Sequence, residues 1–211
     1  MRATEAYANL KRLDRPVVTT GEAAACLDVA EAATSRLLSR LTRDGLIFRL
    51  RKGLWALDPQ VEPYVLPAFL TAPYPSYIST WSALFHHGII DQIPREVYVV
   101  SLDRSKRIST PLGAFVVQHM RPELFKGFET RDGFTMATPE KALFDTLYLN
   151  GARGRRYSRL PELEIPDGFK YTEVHDWIKR ISLRRLRALV EDQVQRIAGP
   201  ARKPAMARRS E

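Results

Sequence analysis

Two helix-start signals nine residues apart constrain the front of this chain more than any other feature. In "TTGEAAACL", Thr19 and Glu22 have the spacing at which a threonine hydroxyl and a glutamate carboxylate each satisfy a free backbone N–H of the other's residue. "DVAE" repeats the device with Asp28 and Glu31. Two helices begun so close together leave room only for a tight turn between them, which is the helix-turn-helix arrangement.

The flanking segments extend that reading. "TEAYANLKRL" puts Ala6, Leu10 and Leu13 on one stripe, so residues 3–13 are expected to form a first helix that ends before Pro16. The helix begun at Asp28 should run to about Arg43 and stop at Gly45, a residue suited to the left-handed position after a helix. Helical spacing predicts Ala30, Ala33, Leu37 and Leu41 on its inner face, with Leu38 at the edge. Residues 47–50 and 54–57 are expected to pair as a hairpin around "RKG", with Gly53 supplying the positive φ of a short loop. Helix, short helix, long helix and hairpin make a winged helix-turn-helix over residues 1–60.

The outer face of the third helix carries Ser35, Arg36, Ser39, Arg40 and Arg43, without a carboxylate to neutralise the arginines. Arginine suits guanine O6 and N7 in a major groove, and serine reaches base edges or phosphates. Arg43 with Arg49, Arg51 and Lys52 of the hairpin would then hold the DNA backbone, a contribution that weakens with salt. A solvated amphipathic helix with a charged hairpin, or a winged helix used for protein contacts, is the alternative.

After Asp58 and Pro59, prolines and aromatics replace this pattern, and residues 61–198 are expected to form a second, mixed α/β domain. "TWSALFHHGI" fits a helix ended by Gly88; "EVYVVSL", "GAFVVQHM", "FKGFET" and "GFTMA" fit strands. "TPEKALFDTLYL" reads as a helix capped by Thr138, with Pro139 in its first position and Leu143, Phe144, Leu147 and Tyr148 toward a core. After the basic loop "NGARGRRYSRL" come two closing helices, about 172–181 and 183–198, the second with Leu186, Leu189, Val190, Val194 and Ile197 at helical spacing. Residues 199–211 read as a basic disordered tail. The fold class is therefore α+β.

Net charge is +9, placed at the two ends. Residues 1–60 hold ten basic and seven acidic residues, residues 61–149 eight and nine, and residues 150–211 fifteen and eight. Such ends suit a polyanion or an acidic protein. The C-terminal segment could touch an acidic protein, add nonspecific DNA affinity, or keep the chain soluble. Cys26, the single cysteine, excludes an intramolecular disulfide and a thiolate metal cluster. No apolar run reaches the roughly 18 residues of a membrane span, and the start lacks the apolar run of a signal peptide, so a cytoplasmic protein is expected.

Catalytic patterns are missing. His86, His87, His119 and His175 have no neighbouring Cys or acid at ligand spacing, so no metal site is expected. Glu140, Lys141 and Asp145 invite a nuclease reading, but the strands supply no interior carboxylate to join them, and solvated helix-face charge is the expected role. There is no Gly-rich phosphate loop, GxSxG elbow or Asp-x-Asp pair. A non-enzymatic protein without a cofactor is the expectation.

The winged helix ending in "RDGLIFRLRKGLWAL", then "YISTWSALFHHGIIDQIPREVYVVS", then "MATPEKALFDTLYL" together resemble the AbiEi family of antitoxins, the antitoxin halves of abortive-infection toxin–antitoxin systems. The resemblance implies a second domain responsible for antitoxicity. It also implies a winged helix that binds inverted repeats upstream of its own operon through Ser35, Arg36, Ser39, Arg40, Arg49, Arg51 and Lys52. The cognate toxin would be a nucleotidyltransferase, and the missing Asp-x-Asp pair fits the antitoxin role. The competing expectation is a stand-alone winged-helix regulator whose second domain senses a ligand through Tyr77, Trp81 and His86.

Overall fold

A computed structural model describes residues 2–152 and 160–199. The fold is α+β, and the chain divides into two compact units. The first comprises residues up to Ile78 with Arg95–His119 and Thr130–Thr135; the second comprises Ser79–Pro94, Met120–Glu129 and the described residues from Met136 on. The basic segment 153–159 and all of the tail beyond Gly199 lie outside the described residues.

The first unit opens with α1 (Ala3–Lys11), β1 (Val17–Thr19), α2 (Thr20–Leu27), α3 (Glu31–Arg43), β2 (Phe48–Arg51) and β3 (Leu54–Ala56). The first capping box forms as expected: Thr19 Oγ1 accepts from the Glu22 N–H at 3.1 Å, and the Glu22 carboxylate accepts from the Thr19 N–H at 2.7 Å. The second does not form. Asp28 ends α2 instead, at φ +51, and Ala30 stands at the N-cap of α3 without a side-chain bond. The turn between the helices needs one left-handed residue, and aspartate is among the few non-glycine types that adopt that conformation readily.

The buried face of α3 also differs from the expected one. Its buried stripe is Thr34, Leu38 and Leu41, whereas Leu37 and Ala33 are half-buried and Ala30 is exposed. Thr34 can be buried because its hydroxyl donates to the Val29 carbonyl at 3.2 Å. Gly45 takes φ +72 just beyond the helix end, as its sequence position suggested.

Strand β3 lies between β1 and β2, antiparallel to both. Its three residues are all buried, and they alternate between two cores. Trp55 joins Ala6, Leu10, Val18, Leu27, Leu38, Leu41 and Ile47 on the helical side. Leu54 and Ala56 join Val17 and Leu50 on the other, where Leu66, Leu70, Val99, Phe115 and Val117 complete the cluster. The remainder of the first unit holds α4 (Pro67–Leu70), β4 (Ser76–Ile78), β5 (Val97–Ser101), β6 (Lys106–Thr110) and β7 (Gly113–His119), and these last residues come from α4 and the residue before it, β5 and β7. Strand β7 runs parallel to β5 and antiparallel to β6, and β4 pairs antiparallel with β5.

The second unit contains α5 (Thr80–His86), and the units divide between them the hairpin of β8 (Phe128–Arg131) and β9 (Phe134–Ala137). The second unit is completed by α6 (Pro139–Ala152), α7 (Tyr171–Lys179) and α8 (Arg184–Ala198). Helix α6 is its centre, buried continuously from Glu140 to Leu149 and packed by α5, α7 and α8. Thr138 caps it, accepting from the Lys141 N–H at 3.3 Å. Near its other end the absence of a side chain at Gly151 lets α8 approach, since a Cβ there would lie 2.7 Å from Leu186 Cδ1.

The charges of α6 are buried, which corrects the expectation that Glu140, Lys141 and Asp145 are solvated. Lys141 and Asp145 are fully buried and form an ion pair one helical turn apart. Ser79 Oγ donates to the other Asp145 oxygen at 2.7 Å, and the Lys141 ammonium lies 4.8 Å from the Phe144 ring centre and 5.7 Å from that of Trp177. Burial pulls the Lys141 pKa below its ordinary range, with the Asp145 carboxylate opposing the shift. Glu140 accepts from the Lys170 N–H at 3.0 Å and so anchors the start of α7. The helix buries these charges because each has a specific partner, most of them distant in sequence.

Two stability predictions follow from these contacts. Asp145→Ala leaves the Lys141 ammonium buried without its counter-ion and should destabilise the protein by about 3–5 kcal/mol in urea unfolding. Trp55→Phe keeps the ring in the helical core but removes the indole N–H that donates to Thr20 Oγ1 at 3.0 Å; a loss of about 0.5–1.5 kcal/mol is expected in the same measurement.

Candidate nucleic-acid interface

Arginines at positions 36, 40 and 43 recur at intervals of four and three, so α3 carries them on one stripe. With Ser39 they fall within an arc of about 100°, opposite the buried Thr34, Leu38 and Leu41. Arg36, Ser39, Arg40 and Arg43 are exposed, and Ser35 is half-buried at the flank of the arc. From Arg36 to Arg43 the stripe spans about 10 Å along the axis, at 1.5 Å per residue. Among the described residues, none of Arg36, Arg40 or Arg43 has an ion pair or a side-chain hydrogen bond, so all three guanidinium groups present their full donor sets outward.

Ser39 differs from the arginines. Its hydroxyl donates to the Ser35 carbonyl at 2.8 Å, which commits its single proton to the helix backbone. What the side chain offers outward is a pair of acceptor lone pairs.

The wing is built by strand alternation. In β2, Leu50 points inward, whereas Arg49 and Arg51 are exposed on either side of it, with a register shift against β3 between them. Lys52 and Gly53 form the tip; Lys52 is exposed and Gly53 takes φ +76. Arg49 is steadied by Trp55, its guanidinium carbon 5.4 Å from the ring centre. Arg51 reaches the Phe69 carbonyl with one N–H at 3.4 Å, a long contact that leaves its other donors available.

Two further contacts fix the wing against the helices, and the sequence reading did not foresee them. The Gly53 carbonyl accepts from the Thr20 N–H at 3.0 Å, and the Trp55 indole donates to the Thr20 hydroxyl. The hairpin tip is thereby tied to the first turn of α2. The alternation of "LWAL" with a single large aromatic was the available signal that Trp55 faces the helices.

The three residues expected to sense a ligand differ in exposure. Tyr77 is fully buried, Trp81 is half-buried, and His86 is exposed. His87 is the histidine turned inward, its Nε2 2.8 Å from the Ala137 carbonyl. Among the described residues no group of three or more His, Cys, Asp or Glu side chains is placed to hold a metal ion, and no helix is long and apolar enough to cross a membrane.

No curated protein matches the chain. Residues 5–57, which span the helix-turn-helix and the wing, match the family model described as transcriptional regulator, AbiEi antitoxin.

Proposed function

We propose that this protein is the antitoxin of a toxin–antitoxin pair, that it represses its own operon by binding inverted repeats in operator DNA, and that it neutralises a nucleotidyltransferase-type toxin. The observation that carries the proposal is the exposed, unpaired arginine stripe of α3 beside a basic wing, in a segment that matches the AbiEi antitoxin/regulator family model. Residues 1–60 are assigned to DNA, and residues 61–198 to neutralisation. The chain acts without catalysis or a cofactor, in the cytoplasm where operator and toxin are both found.

In this reading α3 enters the major groove. Arg36 and Arg40 donate to guanine O6 and N7, the commonest specific contact of arginine. Ser39, with its proton committed to Ser35, accepts from an adenine N6 or cytosine N4 amino group. Ser35, at the flank, reaches a neighbouring phosphate. Arg43 and the wing residues Arg49, Arg51 and Lys52 lie against phosphates, where each cation displaces condensed counterions and so makes affinity fall with salt.

The test is binding of the full chain to DNA from upstream of its own reading frame, against random duplex. Arg36→Ala and Arg40→Ala should each weaken specific binding by about 1–3 kcal/mol and leave random-sequence binding nearly unchanged. Lys52→Ala should weaken both alike and lower the salt slope by about one unit. Equal losses on both DNAs for Arg36 and Arg40 would remove them from base reading. Growth of cells expressing the toxin, with and without this chain, tests neutralisation.

A further inference from the structure

Strand alternation and the register shift divide the two wing arginines between opposite faces of the small sheet. Arg51 reaches the Phe69 carbonyl in α4, the helix that packs into the core shared with β5 and β7. Arg49 is the cross-strand partner of Trp55, and side chains directly opposite one another in an antiparallel pair stand on one face. That face carries the helices, since Trp55 belongs to the core formed with α1, α2 and α3. Arg49 is therefore the wing arginine on the side of the sheet that bears α3.

The ring beneath Arg49 is itself held in place. The guanidinium carbon lies 5.4 Å from the centre of the Trp55 ring, within cation–π reach. Trp55 is 2% exposed, so its indole N–H needs an acceptor from the protein; without one, the ring either buries an unpaired donor or turns. Thr20 Oγ1 is that acceptor, at 3.0 Å and 35 positions away in sequence. The backbone N–H of the same threonine donates to the Gly53 carbonyl at 3.0 Å, beside Lys52 at the wing tip. Thr20, one residue after the N-cap of α2 and half-buried, thus grips the wing twice.

We propose that Thr20 is a positioning residue for DNA binding: its hydroxyl sets the plane of the Trp55 indole, and the indole holds the Arg49 guanidinium ready for a DNA phosphate. This role rests on the operator-binding reading above. A free arginine side chain samples many rotamers and loses that freedom when it pairs with a phosphate. A guanidinium already held over a ring has less freedom to give up, so binding strengthens without an added contact. Phosphates are common to all sequences, and Thr20 accordingly acts on affinity rather than on base choice.

Thr20→Val keeps the β-branched shape and removes the acceptor, whereas Thr20→Ser removes only a methyl group. Both are made in the full chain and measured well below the Tm, on DNA from upstream of the reading frame and on random duplex. For Thr20→Val the expected result is a loss of affinity of roughly three- to tenfold, equal on the two DNAs, with a salt slope smaller by about one unit. Thr20→Ser should retain wild-type values of both. Arg49→Ala should weaken the wild-type chain to a similar extent, but by less than about twofold once Thr20 is replaced by valine, because the two changes remove the same contact. Wild-type affinity and salt slope in Thr20→Val, with only the Tm lowered, would overturn the proposal and leave the hydroxyl a purely structural contact. So would an Arg49→Ala loss that multiplies in full with that of Thr20→Val. If Thr20→Val does not fold, Trp55→Phe removes the same hydrogen bond from the donor side and is held to the same outcomes. A wild-type chain that binds neither DNA overturns the operator-binding reading and this role with it, an outcome that the wild-type control separates from the others.

Discussion

Burial of β3 on both faces is the constraint on which the winged-helix part of the first unit depends. A three-residue strand has few ways to hold its place, and this one does so by alternation: Trp55 fills the helical core, while Leu54 and Ala56 fill the core shared with β5 and β7. The position of α3 relative to the wing is thereby set by one rigid layer. The tie between the Gly53 carbonyl and the first turn of α2 adds a hydrogen bond to the same layer. Under the proposed function such stiffness matters, since a displaced wing would lose the phosphate contacts assigned to it.

What could be read from the sequence was local or periodic. The capping box at Thr19 and Glu22, the glycines at 45 and 53, and the arginine stripe of α3 all depend on residues within one or two helical turns of each other, and all appear as expected. Asp28 shows the limit of local reading. The same residue type caps the start of one helix or ends another in the left-handed conformation, and only the packing of α2 against α3 decides between them. Strands β1 and β6 escaped notice for a related reason: three residues are too few to display alternation, and "KRIST" is a largely polar strand.

The charges of α6 were illegible for a different reason. A lysine and an aspartate four residues apart look like a solvated surface pair. Their burial is decided by Ser79, which is 66 positions from Asp145, and by Trp177 in α7. Removing an ion pair from water is costly unless its hydrogen bonds are completed, and here the serine hydroxyl and the aromatic rings complete the surroundings. The second unit thus places a charged cluster at its centre, where charged side chains are seldom fully buried unless paired.

The shared core of β3 also bears on how the protein is made. Chains emerge from the ribosome N-terminus first and tend to fold as units become complete. The wing's inner face, with Val17, Leu50, Leu54 and Ala56, is covered by side chains as late in the chain as Phe115 and Val117. A nascent chain that has delivered only the family-matched segment, residues 5–57, therefore still bears an uncovered apolar face. The surface proposed to read DNA gains the apolar backing of its wing only when β7 has been synthesised.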